Sequence, residues 1–163
     1  MSGDDQGRSG DTGKSSAFEL LPVELEGWKP PRGYANGTLA PAGGRLLFVA
    51  GQIAWDAEQR LVPGGFAEQF GRALANVVEV VRAAATAAGV EPDDAPGYVA
   101  SLTIFVTSKA AYLQASKTIG KQYRRIMGRH YPAMALVEVK ALLETGAMVE
   151  IQGQAVLPPA PDA

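Results

Sequence analysis

Cysteine is absent from the 163 residues. That excludes a disulfide scaffold, a thiolate metal centre and a thiol nucleophile. Histidine occurs once, at His130. One imidazole cannot assemble a multi-histidine metal site, and without a GxSxG turn it has no activated serine to serve. No apolar run approaches the roughly 18 residues of a membrane span. The polar first residues do not read as a secretory signal, so a cytoplasmic protein is expected. Excess positive charge is missing too: the formal net charge is -2, which argues against a general nucleic-acid binder. The pairs Gly43-Gly44 and Gly64-Gly65 lack the spacing of a dinucleotide loop.

What is present reads as one globular domain. Apolar residues make up 47% and charged residues 20%, a folded composition in a chain long enough to bury a core without staples. Residues 1–16, MSGDDQGRSGDTGKSS, hold no apolar residue after Met1 and are predicted to be a disordered tail. Residues 17–33 form an extended segment, because Pro22, Pro30 and Pro31 keep their surroundings out of helical space. The domain proper is placed at 34–157, with a frayed tail at 158–163.

Within the domain, Tyr34–Leu39 and Arg45–Ile53 read as two strands of a hairpin, with Pro41–Gly44 as the turn. Phe66–Ala88 reads as a helix. Phe66, Phe70, Ala73, Leu74, Val77, Val81 and Ala84 repeat at helical spacing, and Gly89 stops it. A strand over Tyr98–Val106, a helix over Lys109–Met127 and strands over Ala133–Val139 and Met148–Leu157 follow. The order β-β-α-β-α-β-β predicts an α+β fold with both helices on one face of a single sheet. The other face then lacks a helical cover. Phe105, Val137, Val139 and Ile151, or their alternates, would lie on it, which argues for burial against another subunit.

Few residues suggest chemistry. Glu150, in VEIQGQAV, is either an exposed strand carboxylate or a group that holds and deprotonates a water. Glu138 reads as an exposed or salt-bridged strand residue, and His130 as structural. Tyr34 packs or lines a cleft. From Lys109 to Arg129 there is no acidic residue, while Lys109, Lys117, Lys121, Arg124, Arg125 and Arg129 are all basic. A solvated outer face explains this most simply; the alternative is an anion or RNA contact, which would also need aromatics to stack bases, and Tyr112 and Tyr123 read as inward-pointing.

Several motifs then coincide in order: FVAGQIAWD (48–56), ALANVVEVVRAAATAAG (73–89), YVASLTIFVTS (98–108) and YPAMALVEVKALLETGAMVEIQGQAV (131–156). Together they resemble the Rid family, also called YjgF or endoribonuclease L-PSP. The resemblance implies a chorismate-mutase-like fold, a homotrimer with a central barrel, clefts between subunits as active sites, and hydrolysis of enamines or imines without metal or organic cofactor. By the family's pattern, Glu150 is the water-binding glutamate, Tyr34 the cleft tyrosine and Gly51 the pocket glycine. Ala50 stands where a serine or threonine is common. Met134 stands where an arginine holds the substrate carboxylate, and Leu136 where a cysteine is frequent. Losing that arginine implies a less anionic, more hydrophobic substrate, unless Arg129 or Lys140 replaces it. A trimeric ligand-binding or scaffold protein without catalysis is the competing reading; RNA cleavage, which the older name suggests, is disfavoured by the charge.

Overall fold

The computed structural model describes residues 18–160. The expected tail at 1–16 lies outside them.

A four-stranded sheet carries the domain. Its strands are β3 (Arg45–Gln52), β4 (Val99–Val106), β5 (Ala133–Glu138) and β6 (Val149–Leu157), in the order β3-β6-β4-β5. β6 is antiparallel to both β3 and β4, whereas β5 runs parallel to β4. The parallel pair requires a long crossover, which α3 (Lys109–Met127) supplies. A 22-residue helix, α1 (Phe66–Ala87), lies across β3 and β6 and packs on α3. The sheet is therefore mixed, with the long helices on one face.

Local chemistry sets these bounds. The Gly65 N–H donates to the Glu68 carboxylate at 2.9 Å, which closes the first turn of α1. Gly89, at φ 71°, ends that helix in the left-handed region. Ser108 Oγ accepts from the Ala111 N–H at 3.1 Å at the start of α3. Glu138 accepts from the backbone N–H of Lys109, so this exposed carboxylate caps the same helix end.

The core lies between α1, α3 and the sheet. Phe70, Leu74, Val77 and Val81 of α1 meet Leu102 and Val106 of β4 and Val149 and Ile151 of β6, all essentially without solvent exposure. Each such side chain contributes on the order of 1.5–3 kcal/mol by burial. His130 Nε2–H donates to the Val99 carbonyl at 2.7 Å, and Tyr123 donates to the His130 carbonyl at 2.9 Å. The single histidine thus ties the end of α3 to β4.

The fold corrects the sequence reading in four places. Only Thr38–Leu39 of the first predicted strand is extended, as β2, and it pairs with β1 (Leu21–Pro22), not with Arg45–Ile53. Residues 34–38 instead lie against the start of β5: the Ala35 N–H donates to the Pro132 carbonyl at 3.0 Å, and the Ala133 N–H donates to the Thr38 side-chain Oγ1 at 3.1 Å. A short helix, α2 (Ala95–Tyr98), follows a 3-10 turn at Pro92–Asp94, so Tyr98 ends a helix instead of opening a strand. Ile151 lies under the helices, fully buried, and Val139 lies beyond the end of β5.

The helix-free face of the sheet carries Leu46, Phe48, Phe105 and Val137, interleaved with Ser101, Thr103, Gln152 and Gln154 by strand alternation and register. Phe48 is 70% exposed and Leu46 58%. Two large apolar side chains this exposed, two residues apart on one strand, mark a surface made for contact.

Candidate active site

Glu150 points onto the helix-free face. It stands opposite Phe105 of β4, which stands opposite Val137 of β5. On its other side β3 is irregular. Val49 pairs with Gly153 and Gln52 with Ile151, so Ala50 and Gly51 together oppose the single Gln152. This bulge bends β3 and turns Gly51 toward Glu150. A Cβ at residue 51 would collide with Glu150 Oε1. Glycine is required here because the carboxylate occupies the space of a side chain. Exposed Ala50 lies beside it.

Tyr34, Met134 and Leu136 gather elsewhere. Met134 pairs with Leu102 and Leu136 with Ile104, which puts both on the helix side of the sheet. With Arg32, Gly33, Ile104 and Tyr112 these three residues line a cavity of about 270 Å³ at the edge strand β5. Met134 is half-buried, whereas Tyr34 is exposed at 44%. The site residues named from the sequence therefore form two groups, Glu150 with Ala50 and Gly51 on one face, and Tyr34 with Met134 and Leu136 on the other.

Neither expected substitute cation reaches Met134's cavity. Lys140 is exposed in the turn after β5. Arg129 lines a separate hollow of about 380 Å³ with Glu19, Glu24 and the far side of Tyr34. A second cavity, about 450 Å³, adjoins the first between α3 and β5 and shares Arg32, Gly33, Ile104, Tyr112 and Met134 with it. Its walls add Lys117, Lys121, Arg124, Tyr123 and Tyr131. Burial pushes the Tyr112 and Tyr123 hydroxyls above the ordinary tyrosine range, the latter helped by Tyr131. Both stay neutral at physiological pH. Among the described residues no three His, Asp or Glu side chains cluster as a metal site would need.

Two buried amides hold the first group in place, and the sequence reading passed over both. Gln69 Nε2 donates to the Gly146 carbonyl at 3.0 Å, and its Oε1 accepts from the Met148 N–H at 2.8 Å. That fixes the entry of β6 just before Glu150. Asn76 Nδ2 donates to the Ile53 and Trp55 carbonyls at 2.9 and 3.1 Å, which fixes the exit of β3 just after Gly51. The available signal was two amides seven residues apart on the apolar stripe of α1. Asn76→Ala removes both of these hydrogen bonds and leaves the Ile53 carbonyl with only the Trp55 N–H, and the Trp55 carbonyl with only Arg72 Nε, as donors. It is expected to lower stability by about 1–3 kcal/mol, read as a lower urea midpoint at unchanged m-value.

Comparison with known proteins agrees with this architecture. The family model for endoribonuclease L-PSP matches residues 30–157. The chain belongs to this family, known also as the Rid or YjgF family, and its α+β fold with a mixed sheet is the family's. Among curated relatives, the 2-iminobutanoate/2-iminopropanoate deaminase of Bos taurus is 31% identical over 116 residues, 71% of this chain and 75% of that protein. Among solved structures, the Rid-family protein YyfB of Yersinia pestis superposes with a TM-score of 0.69 at 28% identity, over 85% of this chain and 99% of that one. Escherichia coli TdcF with bound serine gives 0.51 at 26% identity, over 83% and 98%.

Proposed function

We propose that this protein hydrolyses a small imine or enamine at a composite site between copies of itself. Water adds to the imine carbon and gives up a proton to Glu150. The proton returns to the nitrogen to give a carbinolamine; Glu150 then takes the hydroxyl proton and passes it to the nitrogen as the C–N bond breaks, which leaves a carbonyl compound and ammonia. Glu150 suits the role of base because its carboxylate sits over the Gly51 backbone with no side chain between them. The observation that carries the composite site is the division of the candidates between two faces of one sheet. A single copy cannot close both groups around one substrate. A neighbouring copy, seated on the face of Leu46 and Phe48, can bring its edge strand to Glu150. A trimer with three inward-facing sheets meets that need and covers the apolar patch.

Met134 makes the substrate wall apolar where the resemblance implies an arginine. The part of the substrate against it is therefore less anionic than the typical amino-acid-derived imine. The deaminase name of the bovine relative and the serine in TdcF support a small amino-acid-like substrate class. The same methionine favours the second reading, a ligand-binding trimer without turnover.

Imines generated in situ from a panel of amino acids separate the two readings. Ammonia release accelerated over buffer is expected for those with apolar side chains. Ligands that bind without any acceleration across the panel would leave only the binding protein.

A further inference from the structure

The larger cavity has a composition that the function proposed above does not use. Arg32, Lys117, Lys121 and Arg124 all line it, and no aspartate or glutamate does. Three of the four recur at positions i, i+4 and i+7 of α3, so they share one helix face. Among the described residues the ion pairs involve only Arg60 and Arg82 as cations, so all four lack a carboxylate partner. Arg124 reaches only the Tyr131 hydroxyl, at 3.5 Å. The rest of the lining is largely apolar and aromatic, with Phe70, Ile104 and Met134 from the neighbouring elements and Tyr112 and Ile119 from α3 itself. Like charges gathered without counterions repel one another, and an anion placed among them relieves that repulsion. The ligand that fits this lining carries an apolar body and a terminal negative charge.

We infer that the cavity between α3 and β5 is a carboxylate subsite, in which Arg32, Lys117, Lys121 and Arg124 hold the charged end of a substrate whose apolar body lies along Ile104, Tyr112 and Met134. The inference rests on the proposed function for the reacting end, since the adjoining cavity of Tyr34 and Leu136 opens from the same residues. It moves the anion away from residue 134 and toward α3. The favoured substrates become imines whose apolar side chain ends in a further carboxylate, several carbons from the nitrogen-bearing carbon.

Calorimetric titration of the full chain with 4-methylpentanoate and 4-phenylbutanoate, against their primary amides, tests this. The acids are expected to bind about tenfold more tightly than the amides, and added salt should narrow the gap. Lys117→Gln with Lys121→Gln should abolish the preference; both side chains are exposed, so the fold is expected to survive, with circular dichroism as the check. Equal binding of acid and amide, no binding of either acid, or an acid preference that survives the double variant would each overturn the subsite. Acid binding without any imine turnover would remove the proposed hydrolysis and leave the subsite standing. Turnover indifferent to substrate charge would do the reverse.

Discussion

Glu150→Gln is expected to reduce imine hydrolysis by about 10²- to 10⁴-fold, the usual range for removing a positioned general base. Glutamine keeps the length and the hydrogen-bonding oxygen of the side chain but cannot take a proton from water. The surroundings favour a clean outcome. Residue 150 is half-buried on the sheet face and has no ion pair among the described residues, so the substitution breaks no structural partnership. Stability should change by no more than about 0.5 kcal/mol, as for surface sites away from special features. The measurement is keto-acid and ammonia formation from a turned-over imine, with the melting temperature as control. A folded Gln variant at wild-type rate would mean that water is activated elsewhere, and the carboxylate over Gly51 would be left without a chemical role.

The second large effect concerns assembly. Phe48→Asp is expected to turn the proposed trimer into monomers at micromolar concentration. Phe48 is 70% exposed in the single chain and projects beside Leu46 from the helix-free face. An aromatic anchor at the middle of an interface is worth 2 kcal/mol or more when truncated, and burying an unpaired carboxylate in its place costs further. Together these amount to on the order of 4 kcal/mol, about 10³-fold in the association constant. The core under α1 does not involve residue 48, so the monomer should keep native circular dichroism. Light scattering after size-exclusion chromatography reads the mass. Turnover should fall with assembly, because Glu150 and Met134 of one chain face opposite ways. A monomeric variant with full activity would sink the composite site, and a wild type that is itself monomeric would sink the assembly.

Much of the fold was legible because it is set by local pattern. The apolar stripe of α1, its stop at Gly89, the basic run of α3 and the period-two strands all act within a few residues of themselves, so the predicted bounds of the long elements fall within a residue or two of the observed ones. The hairpin of Tyr34–Leu39 with Arg45–Ile53 failed for a different reason. Pro41–Gly44 is a sound turn signal, but a turn does not choose the strand that its first arm joins. Thr38 and Ala35 found better partners in Leu21–Pro22 and at the start of β5.

The amino-acid sequence alone settles which chemical groups are available: no thiol, a single histidine, a glutamate in the last strand and a methionine at residue 134. It also determined that one sheet face would go without a helix. Which of these groups meet depends on how distant segments pair. Residues 134 and 150 lie on different strands, and the side of the sheet that each faces depends on register, which one residue of slip inverts. The β3 bulge that turns Gly51 to Glu150 exists only where β6 lies alongside. Lys117 and Lys121 read as a solvated helix face until α3 is laid beside β5 and Arg32 arrives from the N-terminal segment. Those pairings join segments far apart in the chain, and local periodicity carries no information about them.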